Sequence, residues 1–271
     1  ALEFGRRVQL VDVGVVKPKP ALPEANFFEL KKQLPNAHDY FLGPNNEALI
    51  LPDNEDEYYG FPPSKEFVFE DPRPGAVTSQ GFNPLFSYAR GGLAEAWTGG
   101  SYPFNAGEIR DFPFDHDDLV RHYEDVAQNI GMSGQEDDLA SIMPFHAGID
   151  SPVALDEHGE DLLRAYQSKQ KKLEAHSFLM GRARLAVLTE DRGDRRGCTQ
   201  LNRCLWGCPT GSIYTPSWTL ADLLAHENFT YSPDLKVSHF KIAGAKVTGI
   251  VAYDLKGKSE QEINCDRLVM A

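Results

Sequence analysis

The chain has 271 residues, 41% of them hydrophobic and 25% charged, enough to bury a sizeable core as one large domain or two modest ones. Its formal net charge is −13 with no cluster of Lys and Arg suited to phosphates, Lys169 to Lys172 being short and helical, so a nucleic-acid partner is not expected. No apolar run approaches the roughly 18 residues needed to cross a bilayer. Four cysteines are too few to staple a chain of this size, and three of them crowd between Cys198 and Cys208, which suggests a site rather than a disulfide framework.

Taken in chain order, ALEFGRR reads as the tail of a helix already under way, and VQLVDVG, residues 8–14, as a short buried parallel strand ending in an acid and a glycine. In a dinucleotide-binding unit an acid in that place accepts hydrogen bonds from ribose hydroxyls, which makes Asp12 a candidate; a plain strand-ending turn is the alternative on these residues alone. Residues 15–79 are rich in proline, aromatics and acids and read as a surface excursion. They hold one short helix near EANFFELKKQL, with Phe27, Leu30 and Leu34 on one face.

Residues 90–104, RGGLAEAWTGGSYPF, carry two glycine pairs around Trp97. Glycines let a backbone pass close to a flat ligand and turn its N–H groups toward it, although glycine pairs also serve tight turns and Trp97 also suits a core. A helix follows over 117–131, with Leu119, Tyr123, Val126, Ala127 and Ile130 at helical spacing and Gly131 as its stop. A second is expected from about Glu160 to Ala175, then a strand at GRARLAVLT, residues 181–189. After the cysteines come a short helix over 217–226 and three strands, KVSHFKI, KVTGIVAYD and EINCDRLVMA, with LKGKS as the turn between the last two. The last strand stops at Met270 and Ala271 without a cap or polar tail, and the natural protein is expected to continue.

CTQLNRCLWGCPTGS spaces Cys198, Cys204 and Cys208 as C-x5-C-x3-C, followed by Pro209 and Gly211. Structural zinc would need a fourth ligand, for which His226 and His239 are candidates. Three cysteines at short spacing ending in Cys-Pro suit a three-iron cluster, and three small buried residues in a tight loop are the plain alternative. No serine–histidine–aspartate order, HExxH or phosphate-cradling GxxxxGK[ST] occurs.

VQLVDVG, GGLAEAWTGG, the helix ending NIG, GRARLAV, GCPTGS and KVTGIVAYD with DRLVMA together resemble, in order and approximate spacing, the middle of a glucose/methanol/choline oxidoreductase. The resemblance implies an α/β fold: a partial FAD-binding Rossmann-like domain over 1–14, 80–110 and 190–271, with a substrate-side region over 111–189 and a closing β-meander. It implies that Asp12 binds the adenosine ribose and that Arg90, Gly91, Gly92, Trp97, Thr98, Gly99 and Gly100 lie against the flavin and pyrophosphate. Val237 would meet the adenine through its backbone.

Some relatives attach the flavin to a histidine just before the tryptophan of this loop; Ala96 stands there, so no covalent bond is expected at that position. The cysteine spacing is similar to that of sugar dehydrogenases with a 3Fe-4S cluster and a cytochrome partner, which would give Cys198, Cys204 and Cys208 to a cluster. The family's glycine-rich first loop and its carboxy-terminal catalytic histidine have no counterpart here, so this piece alone is expected not to turn over substrate. The expected activity is oxidation of an alcohol group of a sugar or polyol. A non-catalytic iron–sulfur or zinc module and an NAD-dependent dehydrogenase are the alternatives.

Overall fold

The computed structural model describes residues 1–16, 23–46, 48, 61–70, 80–81 and 85–270. Most of the expected excursion over 15–79 thus lies outside the described residues. The elements in chain order are β1 (Val8–Val11), α1 (Phe27–Gln33), α2 (Ala37–Leu42), α3 (His116–Ile130), β2 (Met132–Ser133), β3 (Ile149–Asp150), α4 (Glu157–Gln167), α5 (Gln170–Glu174), α6 (Pro216–Leu224), β4 (Phe229–Ser232), β5 (Leu235–Ala243), β6 (Lys246–Asp254) and β7 (Ser259–Asn264). Helix and strand are mixed along the chain, compatible with the α/β class. No helix among the described residues is long and apolar enough to cross a membrane.

Contacts divide the chain into two compact units, one of Ala1–Pro20, Asn36–Ala96 and Thr215–Ala271, the other of Ala21–Pro35 and Trp97–Tyr214. The cut falls inside GGLAEAWTGG, between Ala96 and Trp97, so the two halves of that segment belong to different units.

In the first unit β1 pairs in parallel with β4, from Val8 opposite Phe229 to Val11 opposite Ser232. The parallel strand expected at residues 8–14 is therefore present but shorter, and it is half-exposed rather than buried, with Leu10 40% accessible. ALEFGRR makes a single 3-10 turn, Leu2–Phe4, ended by Gly5 in the left-handed region. Beyond β4 the chain turns at Pro233 and Asp234, whose N–H donates to the Val13 carbonyl (3.1 Å), and Leu235 N–H donates to the Asp12 carbonyl (3.1 Å). β5, β6 and β7 then form an antiparallel meander in that order, as the three-strand reading expects, with LKGKS as the turn. β6 lies in the middle and buries Ile250, Val251 and Ala252, while β7 ends at Asn264, short of the expected strand end. A separate apolar cluster joins Val68, Ala89 and Ala96 with Phe61 and Phe67.

The second unit is built round an extended segment, residues 184–188, that crosses several partners without forming a regular ladder. Leu185 bridges both Gly100 and Ser133, and Val187 bridges Ile213, all antiparallel. The strand expected over 181–189 is therefore an extended core segment joined by isolated bridges, because its partners come from three separate places in the chain. Ala186 and Leu188 from it are buried, as are Leu30 of α1 and Ala127 of α3. α3 ends as expected at Gly131, which adopts φ 74° and donates its N–H to the Ala127 carbonyl.

The single helix expected over 160–175 is interrupted, with Lys169 (φ −124°) between α4 and α5. Tyr166 and Gln170, on either side of the break, both serve Asp138: the Tyr166 hydroxyl donates to Asp138 Oδ2, and Gln170 Nε2 donates to Oδ1 at 2.9 Å and Oδ2 at 2.8 Å.

Three arginines are buried in this unit, Arg184, Arg195 and Arg203, and each aims its guanidinium at main-chain carbonyls. Arg184 donates to Met143 and Pro144 (both 2.6 Å). Arg203 donates to Pro23 at 2.7 Å. Arg195 donates to Ile130 (2.8 Å), Gly211 (3.1 Å) and Ser212 (2.9 Å). Burial of a charge costs free energy unless hydrogen bonds replace its water, and carbonyl oxygens do so here.

Candidate functional site

The carboxyl end of β1 gathers the polar groups of the first unit. Asp12 is the first residue past the strand, and its main chain is held on both sides: its N–H donates to the Ser232 carbonyl and its carbonyl accepts from Leu235. The side chain is half-buried and accepts a hydrogen bond from the Tyr231 hydroxyl at Oδ2 (3.2 Å). Burial lifts the Asp12 carboxyl above its ordinary value; the Tyr231 hydroxyl, the N–H groups of Gly14 and Val13 and the charge of Arg90 pull it down without cancelling that effect. Tyr231 responds in kind, its phenol pushed well up first by burial and then by the Asp12 charge.

Gly14 is required here for two reasons. Its φ is +64°, and a Cβ at that position would lie 2.4 Å from the Tyr231 hydroxyl oxygen. Next along the chain, Val15 bridges Ala89 in parallel and accepts from Arg90 N–H at 3.0 Å, which brings Arg90 to the same end of β1. Val237 sits two residues beyond Leu235 on β5, opposite Ala252, immediately before a register shift at Ser238. Asp12, Arg90 and the start of the strand carrying Val237 thus converge.

Gly91 and Gly92 open a 3-10 turn with φ of 95° and 62°. The Gly92 N–H is engaged by the Ala89 carbonyl (2.8 Å), and among the described residues no atom lies within 4 Å of where its Cβ would stand. A Cβ on Gly91 would lie 2.5 Å from Glu95 Oε1, and Glu95 is a buried acid that the sequence reading did not single out. Glu95 Oε1 accepts from the N–H (3.1 Å) and hydroxyl (2.6 Å) of Ser217 in the first turn of α6. It fastens the glycine turn to a helix N-terminus, where the macrodipole favours a negative charge. The small residues flanking an acid at Gly91 and Ala96 were a signal that a buried carboxylate needed room.

In the second unit, Trp97 is half-buried and its indole N–H donates to the Tyr214 carbonyl at 2.6 Å. Thr98 is exposed. Gly99 presses against Val187, whose Cγ2 would lie 3.2 Å from a Cβ there, and its carbonyl accepts from Ala186 N–H (2.7 Å). Gly100 bridges Leu185. This glycine pair therefore secures the close approach of two backbones.

Cys198 donates its N–H to the Leu188 carbonyl, Cys204 opens the 3-10 turn Cys204–Trp206, and Cys208 follows Gly207. No disulfide joins them among the described residues, and no group of three His, Cys, Asp or Glu side chains there is gathered so that it could hold a metal ion. Cys208 has other company: its sulfur lies 3.2 Å from the Thr210 hydroxyl, which in turn lies 2.6 Å from the Ser212 hydroxyl. Burial pushes the Cys208 thiol up, but hydrogen bonds from Thr210, the Ile213 N–H and both donors of Ser212 outweigh it, and the thiol ends below its ordinary value.

No protein-family model and no curated protein matches this chain.

Proposed function

We propose that the chain belongs to an FAD-dependent oxidoreductase that oxidises an alcohol group of a sugar or other polyol. The observation that carries this reading is the meeting, at the carboxyl end of a parallel strand, of the half-buried Asp12, the positive-φ Gly14, Arg90 and the start of the strand bearing Val237. Dinucleotides bind outside the carboxyl ends of parallel strands, with an acid there accepting from the ribose. That arrangement supports a Rossmann-like first unit.

In this reading Asp12 accepts from the adenosine ribose hydroxyls, Val237 meets the adenine through its main chain, and Arg90 offers positive charge to the pyrophosphate. Gly91 and Gly92, next to Arg90, lie along the pyrophosphate. The open side of Gly92 suits close approach of a ligand, whereas Gly99 and Gly100 contribute by bringing backbone together. Bound FAD would supply a hydride acceptor. No residue of the chain is assigned as the base, and no step is routed through the cysteines.

The test is an absorbance spectrum with FAD, iron and zinc analysis on protein expressed from its full reading frame. Stoichiometric FAD supports the reading, and a flavin-free preparation that takes up no added FAD ends it. Iron that disappears in Cys204→Ser would show that the cysteines rearrange around a cluster.

A further inference from the structure

The dinucleotide reading leaves one contact unexplained. Tyr231 lies on β4, 219 positions from Asp12 in sequence, yet its hydroxyl reaches over the end of β1 to donate to Asp12 Oδ2 at 3.2 Å. The backbone pairing of β1 with β4 is already complete over four residues, so the side-chain bond adds little that the ladder lacks. The hydroxyl also occupies the space beside Gly14 that any Cβ would fill, at 2.4 Å. The glycine thus clears the path by which the phenol reaches the carboxylate.

We propose that Tyr231 is a positioning residue of an adenosine-ribose subsite, its hydroxyl fixing the Asp12 carboxylate to accept the ribose hydroxyls of an adenosine dinucleotide that carries no ribose phosphate. The inference rests on the proposed dinucleotide reading. An aspartate side chain alone can rotate, and a hydrogen bond to one oxygen removes that freedom before the ligand arrives. The fixed negative charge disfavours a phosphate on the same ribose. Arg90 and Asp234 are the other charged groups acting on the pair, Arg90 on both members and Asp234 on Tyr231.

The experiment compares wild type, Tyr231→Phe, Asp12→Asn and the double variant, made from the full reading frame and stripped of flavin. Each is titrated with FAD, with ADP, which carries the adenosine ribose, and with FMN, which lacks it. Tyr231→Phe is expected to weaken FAD and ADP by about five- to tenfold and to leave FMN unchanged, as for loss of one hydrogen bond in a charged site. The double variant should bind no more weakly than Asp12→Asn, because the phenol acts only through the carboxylate. FAD affinity should also fall at a higher pH on acidification in Tyr231→Phe, since a donor that favours the Asp12 carboxylate is gone.

Equal FAD affinity in Tyr231→Phe and wild type, with Asp12→Asn weakened, overturns the inference and leaves the ribose reading standing. Equal losses for FAD and FMN reduce Tyr231 to a structural contact and overturn it as well. If wild type binds neither FAD nor ADP, or Asp12→Asn binds both as wild type does, the dinucleotide reading fails and takes the inference with it. Tyr231→Met fills similar space without a hydroxyl and replaces the phenylalanine variant if that does not fold.

Discussion

Half-burial of the Asp12 side chain disfavours its charged form. Because the folded state raises the Asp12 pKa, the native protein holds that proton more tightly than the unfolded chain does. The associated stability is therefore present below the unfolded carboxyl value and is lost as pH rises through the folded one. At neutral pH, Asp12→Asn should raise the melting temperature by a few degrees at most and, if the proposed dinucleotide site holds, weaken FAD about tenfold or more. Thermal melts against pH check the sign: the difference should shrink on acidification into the carboxyl range. Cys208 has the opposite sign. Its folded pKa is depressed, so its contribution to stability is present above the unfolded thiol value and is lost as pH falls through the folded one. Thr210→Val removes a donor to the sulfur, and thiolate absorbance in a pH titration should move up, by about one unit or less, the scale of one hydrogen bond.

Helix ends and strand pairings decide how much of the structure could be read from the residues. α3 was legible because an amphipathic run ends on glycine, and its end is a sharp test. Gly131 has φ 74°, and a Cβ there would lie 2.3 Å from Leu188 Cδ2. Gly131→Ala should destabilise by about 2 kcal/mol or more, from left-handed strain and overpacking together, read as a lower urea midpoint. The meander was legible for the same kind of reason, three strands with a turn rich in glycine and lysine. β4 was not recognised, although the aromatic and β-branched run Phe229–Tyr231 before Pro233 carried the signal. The interruption between α4 and α5 had no local mark, since neither glycine nor proline stands between Gln167 and Gln170. Of the candidate site, Asp12 could be named from its place at a strand end and the glycine pairs from their loop, whereas Arg90 was implied only by the family resemblance. Tyr231 and Glu95 could not, since their partners lie 219 and 122 positions away.

At the scale of the whole molecule, charge sets the surroundings. With a formal net charge of −13, the protein should show no measurable shift of duplex DNA in a gel at about 0.1 M salt, where binding would need a basic patch able to release counterions. A shift that weakens steeply with added salt would contradict this. The division into two compact units places Asp12, Arg90, Tyr231 and Val237 in the first and Trp97 through Gly100, with the three clustered cysteines, in the second.

The arginine fork at Arg195 has a consequence for how this sequence can change over generations. One planar group holds carbonyls at Ile130, Gly211 and Ser212, from stretches more than eighty positions apart. Lysine, a single point of charge on a flexible stem, cannot replace a fork that serves three acceptors in fixed directions. An insertion or deletion just after α3 or around Gly211 would slide one carbonyl out of register with the others. Length variation among descendants should therefore avoid both places and collect in exposed turns instead.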